Sequence, residues 1–373
     1  MPTLLTDYAD LIVEHAVEDG AIVMYDPYAP PFSVDPYFAN LACIGLVNAY
    51  TKNTDHPQYL SVATDWVTWY IDYANRTNGV ICDYVGVSAN WSPSTTNPPY
   101  DSADAYIATF LSLAGLVYPH ADSAWQKALS GFLPTALSVV DQVLQKSVAG
   151  FPQKPTADLT TQYKESAPVP LFCYTEDNCE VYSGLVAAAA LGASIPSLNP
   201  GEQAANTLAA IDKKLFATGA PPFPRYDLAA AVDGQTTATS NVQSVFYPDQ
   251  QVQLLALSQL PPDAKRAALY ADMKSHCYSQ LPAVIANSDA TKELNNLDQI
   301  VWWGLAAMRM EGPQPNQTMI DIYSRLAAYN PGIGSWVHDI GHACTILAAY
   351  VPPPPAPPHR HGPQIRPSAR ARV

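Results

Sequence analysis

The sequence predicts an all-α fold, a closed (α/α)6 barrel of twelve helices in six hairpins with long loops on one face. Three observations carry this expectation. Helical periodicity broken by turn residues recurs about twelve times over roughly the first 350 residues. The connections alternate: those after the first, third, fifth, seventh and ninth helices run to roughly 14–31 residues, those after the even helices to about 2–8. The even helices are apolar nearly all round, and the odd ones carry one apolar stripe. A helix apolar on every side is buried on every side, so six inner helices stand inside six outer ones. No internal sequence repeat supports a solenoid instead.

In chain order, the first hairpin spans 3–18 and 36–50, its second helix opened by Asp35-Pro36. The second spans 57–74, whose Trp66, Trp69 and Tyr70 read as core packing, and 101–117, with the apolar run AYIATFLSLAGLVY. The third spans 121–145 and 177–192, the latter containing EVYSGLVAAAALG. The fourth pairs the amphipathic GEQAANTLAAIDKKLF, 201–216, with 248–259. The fifth spans 262–279 and 293–310, with IVWWGLAAM, and the sixth 315–328 and 335–350, with ACTILAAYV. Strand-like alternation is confined to short pieces of the connections. Residues 1–350 form the expected catalytic domain; from Val351 the chain turns Pro-rich, then basic, and 351–373 reads as a disordered, partly polyproline II tail.

Composition excludes several classes. A net charge of −14 opposes nucleic-acid binding, which needs a basic footprint. No apolar run approaches the roughly 18 residues of a membrane span. The opening residues lack a basic start and an apolar signal core, so a cytoplasmic location is the default expectation, with a secreted mature form left open. The six cysteines form no CxxC pair; Cys173 and Cys179 alone are spaced to bridge in an oxidising compartment. No Gly-rich phosphate loop and no GxSxG elbow is present. Neither a cofactor nor a metal is expected, and the protein is read as a monomer. With 22 Tyr and 7 Trp, the acidic chain suits carbohydrate, whose apolar ring faces stack on aromatics.

In the barrel, each long loop leads into the N-terminus of an inner helix, so six N-termini share one mouth. They are VDPYFAN, YDSADAY, TEDNCEVY, YPDQQ, NNLDQIVWW and GSWVHDIGH. The mouth thereby gathers Asp35, Asp101, Asp104, Glu176, Asp177, Glu180, Asp249, Asp298 and Asp339. Asp is a preferred helix cap, and Asp35, Asp101, Asp177 and Asp249 all stand where capping would explain them. Asp104 and Glu180 fall among apolar neighbours, where an ionised group is costly without a partner. Asp101/Asp104 and Asp177/Glu180 are three apart, on one helix face. Crowded carboxylates separate in pKa, giving the acid and the base that glycosidic cleavage needs. The expected catalytic residues are therefore Asp104 (base) and Glu180 (acid), with Asp101 and Asp177 beside them. Asp35, Tyr37, Trp91, Tyr100, Tyr174, Tyr182, Tyr247, Asp249, Trp336 and His338 are candidates to bind the sugar. His338 and His342, four apart, read as hydrogen-bonding or core histidines rather than metal ligands.

The blocks DPYFANLA (35–42), YDSADAYIATFL (100–111), DNCEVYSGL (177–185) and YPDQQVQLL (247–255) resemble bacterial six-hairpin glycosidase-like proteins, over about residues 20–310. That resemblance implies an acid and a base carboxylate at the barrel mouth, on Asp101 or Asp104 and on Asp177 or Glu180, often with inversion. The expected activity is hydrolysis of an oligo- or polysaccharide. Two other readings share the barrel: a sugar epimerase or isomerase using His338 and His342, and a non-catalytic glycan-binding barrel.

Overall fold

The computed structural model describes residues 3–94, 102–144, 159–160, 172–219, 222–231, 237–242, 246–281, 290–314, 316–329 and 336–350. Asp101, Tyr100 and the 351–373 tail lie outside them. The twelve helices are α1 (Leu4–Glu14), α2 (Pro36–Lys52), α3 (Pro57–Asn75), α4 (Ala103–Val117), α5 (Ser123–Val143), α6 (Thr175–Ala190), α7 (Pro200–Lys214), α8 (Gln251–Gln259), α9 (Ala264–His276), α10 (Ala290–Met310), α11 (Gln317–Ala328) and α12 (Val337–Ala349).

The even helices pack in sequence, α2 on α4, α4 on α6, α6 on α8, α8 on α10 and α10 on α12, and α12 returns to α2. This closes the inner ring. The odd helices lie outside it, and α1 also reaches α12 and α2 across the closure. Tyr8 of α1 donates its hydroxyl to the Leu326 carbonyl of α11, 3.0 Å away, tying the first and last outer helices. At the seam, Gly45 of α2 and Gly341 of α12 face each other so closely that a Cβ on either would strike the other helix's backbone. A buried amide staples the second hairpin: Asn40 accepts from the Trp66 indole at 2.9 Å and donates to the Tyr106 carbonyl and Thr109 hydroxyl.

Two helix boundaries differ from the sequence expectation. The first helix stops at Glu14 because the chain doubles back: Ala16 bridges Ile22, and Gly20, at φ +92°, makes the turn. The eighth begins at Gln251 because residues 246–250 form a wide π-type turn in which Tyr247 is non-helical. All strands sit in the long connections. Antiparallel β1 (Phe32–Val34), β2 (Tyr84–Val87) and β3 (Asn90–Pro93) knit the first connection to the second. The pair β5 (Phe216–Ala217) and β6 (Arg225–Tyr226) folds the fourth on itself. The set β4 (Phe172–Tyr174), β7 (Ala229–Ala231) and β8 (Thr237–Ala238) knits the third to the fourth. No helix among the described residues is long and apolar enough to cross a membrane. All six cysteines are buried and none is joined in a disulfide, so Cys173 and Cys179 do not bridge.

Candidate active site

Side-chain caps are more frequent in the outer layer, although outer helix α3, which starts at His56, lacks one. Outer helices α1, α5, α7, α9 and α11 begin at Thr3, Asp122, Asn199, Asp263 and Asn316, each accepting a backbone N–H through its side chain. Of the inner helices, α2 is capped in this way by Asp35, which holds the Tyr37 and Phe38 amides as expected of a cap. By contrast α4, α6, α8 and α12 start at Ser102, Tyr174, Gln250 and Trp336 with no side-chain cap bond. The expected cap at Asp177 is thus corrected, and the one at Asp101 lies outside the described residues. The fourth helix is headed by Ser102, whose hydroxyl turns to Asp177 at 3.3 Å. At the sixth, the chain delivers Thr175, whose amide and hydroxyl bond the Leu228 and Asp227 carbonyls, leaving Asp177 inside the first turn. Acids at these N-termini are therefore not committed to capping.

Six of them accumulate there. Asp104, Asp177, Glu180 and Asp339 are buried, and Glu176 and Asp298 are part-exposed. Among the described residues no Lys or Arg pairs with any of the six; the ion pairs join Lys265 and Arg266 to Asp212, Arg266 to Asp263, Lys274 to Glu311 and Arg325 to Asp321, on other parts of the fold. Burial without a cation favours the protonated form. It pushes Asp104 up to about 6, Asp298 to about 7 and Glu176 to about 8, the last also opposed by the Asp298 charge. Glu180 rises well above the carboxylate range through burial and the charges of Glu176 and Asp104. Asp177 rises likewise, through burial and the charges of Asp104, Glu180 and Glu176 around it.

Glu180 accepts a 2.6 Å hydrogen bond from the Tyr37 hydroxyl, across the ring from α2 to α6. Asp104 is fully enclosed, accepting from the Thr160 hydroxyl at 2.8 Å, while its other oxygen has no hydrogen-bond partner. Thr160 is itself pinned by Asn178, which accepts from its amide at 2.7 Å. The expectation of Asp104 as a base in direct reach of substrate is therefore corrected: its carboxylate is fully enclosed, with Thr160 against it.

The aromatic candidates scatter. Tyr174 and Tyr247 are exposed, Tyr247 at 66%. Trp336 stacks on Phe38 (5.6 Å between ring centroids), Phe38 stacks on His338 (3.9 Å), and Tyr25 meets Trp336 edge-on. Phe38 was not foreseen, although its place one residue after Tyr37 on an inner helix marks it. Trp91 is a correction: its indole donates to Asp19 at 2.7 Å and its ring packs edge-on against Trp69, so it belongs to the core beside α3. Tyr182 lines a cavity of about 410 Å³ bounded by Ile44, Leu116, Val186 and Gln259, with Glu180 also on its wall. Asp249 is occupied by the Asn241 amide. His338 and His342 are both buried, their rings edge-to-face at 6.0 Å. Burial drives His342 down to about 3 and, with His342 beside it, His338 well below the usual range. Glu176, Asp298 and Asp339 belong to the cluster but were not singled out. The signal was present: Glu176 lies one turn before Glu180, and Asp298 one turn before Trp302 in an apolar helix.

No family model and no curated protein sequence matches the chain. Solved structures do. An alpha-amylase from Clostridium perfringens aligns over 93% of this chain and 97% of its own, with TM-score 0.59 and 10% identity. The GH76A alpha-1,6-mannanase of Salegentibacter sp. HEL1_6 aligns over the same shares, with TM-score 0.55 and 8% identity. A wild-type glycosidase aligns over 92% of this chain and 95% of its own, with TM-score 0.52 and 12% identity. An inactive form of the mannanase, with two consecutive aspartates replaced, is solved with alpha-1,6-mannotriose. The ring of inner helices and these alignments together establish the chain as an all-α (α/α)6 barrel with the six-hairpin glycosidase fold.

Proposed function

We propose that this protein is a glycoside hydrolase acting on an oligo- or polysaccharide by general acid–base chemistry. The observation that carries the reading is the set of carboxylates at the inner-helix N-termini that are neither caps nor, among the described residues, paired with a cation, with Glu180 held by Tyr37. Glycosidic cleavage needs a proton donor for the leaving oxygen and a carboxylate that activates water or attacks carbon. Glu180 is the donor: burial and neighbouring acid charges favour its protonated form, and the Tyr37 hydroxyl fixes one oxygen so that the other presents the proton. The Asp104–Asp177 pair is the base. Asp104, held near 6, is the more readily ionised of the two, and its charge is one of those that raise Asp177. Tyr174, Tyr247 and Trp336 are the sugar-stacking candidates.

Inversion is the expected course, and it requires carboxyl groups roughly 6.5–9.5 Å apart with water between them. The alpha-1,6-mannanase and the alpha-amylase of like fold make α-linked oligosaccharides the first substrates to try. A folded Glu180→Gln protein should lose roughly 10²–10⁴-fold in turnover, the usual contribution of one general acid. Near-normal turnover in both Glu180→Gln and Asp177→Asn proteins would reject the assignment. The epimerase reading has less support, because a buried His342 with a pKa near 3 is a weak proton acceptor. It would be favoured if His342→Gln abolished activity while the carboxylate variants kept it.

A further inference from the structure

The acidic cluster has two sides. Asp104, Asp177 and Glu180 belong to α4 and α6; Asp298 and Asp339 belong to α10 and α12, with His338 between them. One donor atom from each of Asp298, His338 and Asp339 lies within 4.8 Å of the other two. We propose that these three side chains form a binding site for a divalent transition-metal ion of the Zn²⁺ or Mn²⁺ type.

Geometry supports a shared ion. His338 Nε2 is 3.2 Å from Asp339 Oδ1. Two ligands each about 2.1 Å from one ion, at tetrahedral or octahedral angles, stand about 3.0–3.4 Å apart. The third donor closes with a small rotamer change, since even a trans pair spans about 4.2 Å.

Independently, the site holds buried polar atoms that nothing else satisfies. Asp339 is fully buried, and neither of its oxygens accepts a well-formed hydrogen bond, Oδ1 having only His338 Nε2 at 3.2 Å beside it. His338 is 5% exposed, and its Nδ1 has no hydrogen-bond partner. A buried carboxylate facing a second carboxylate, with no Lys or Arg paired to it among the described residues, is a costly arrangement that a cation reverses. The imidazole is also held ready. Phe38 stacks on it at 3.9 Å and Trp336 flanks it at 5.4 Å, so its plane is set by ring packing rather than by a hydrogen bond at Nδ1. Two carboxylates with one imidazole suit Zn²⁺ or Mn²⁺, whereas Ca²⁺ and Mg²⁺ favour all-oxygen shells. Remaining positions fall to water.

The test uses the full chain, stripped with a chelator and titrated with Zn²⁺ or Mn²⁺ without substrate, so its outcome is separate from the hydrolase reading. One ion per chain should bind, raising the thermal midpoint. Asp298→Asn, His338→Gln and Asp339→Asn should each weaken binding by about 100-fold or more, and Asp272→Asn on the outer helix α9 should not. No saturable binding, or binding unchanged in all three variants, would overturn the site. Should the variants fold poorly, X-ray absorption on the Zn²⁺-loaded wild-type protein decides. An imidazole nitrogen with oxygen donors near 2.0–2.1 Å is expected, and sulfur donors or the absence of imidazole would overturn the proposal.

Discussion

At Glu180 two effects oppose each other, and burial wins. The Tyr37 hydrogen bond stabilises the anion and lowers the pKa, while desolvation and the Glu176 and Asp104 charges raise it further. Tyr37→Phe should therefore move the basic limb of the activity profile to higher pH, as read from kcat against pH. Asp104 makes a prediction about stability. Its folded pKa of about 6 lies above the ordinary 3.8, so between those values the folded state holds a proton that the unfolded chain has released. This contribution is complete below about pH 4 and falls as pH rises through 6, by on the order of 3 kcal/mol for about two units. Urea titrations across pH 4–7 should show that decline, and the Asp104→Asn protein should show less of it. Glu180 was legible because an acid in EVYSGLVAAAALG has no structural excuse. Trp91 was not: its loop position suggested the mouth, and only the fold brings Asp19 and Trp69 against it.

Elements were the most legible level, because periodicity of 3.6 and turn residues report on each helix locally. The boundaries fell within a few residues except where tertiary contacts intervene, at the turn after Glu14 and the wide turn at 246–250. Caps were half legible. Thr3, Asn199 and Asp263 follow the familiar preference, but Asp177 and Ser102 show the preference overridden, since the mouth supplies backbone partners to Thr175. Asn199→Ala should cost about 1 kcal/mol, the ordinary loss of a cap, measured by chemical denaturation. The α2–α12 seam should be far less forgiving. At Gly341 a Cβ meets the backbone of Leu41 and Ala42, which has nowhere to move, so Gly341→Ala should cost about 2 kcal/mol or more. A neutral result would mean that the two helices do not pack this closely.

For the whole molecule, the alternation of long and short connections carried most of the information. It identified the inner helices, and hence the face where their N-termini meet, before any contact was known. The closed ring follows from it, because apolar helices on a chain of short hairpins bury their surfaces most completely against one another. What local pattern could not supply was which acids turn inward together. Asp104 and Asp177 come from helices more than fifty residues apart in sequence, and Thr160, from the chain between them, closes on Asp104. The central claim is that this carboxylate cluster hydrolyses a glycosidic bond, and its most direct test is time-resolved NMR of products from a panel of α-linked oligosaccharides, alpha-1,6-mannotriose included. Wild-type protein should release a reducing sugar of inverted anomeric configuration, and the folded Glu180→Gln protein should release none over the same period. Release unchanged by Glu180→Gln, or none from wild-type protein with any glycan of the panel, would contradict the account.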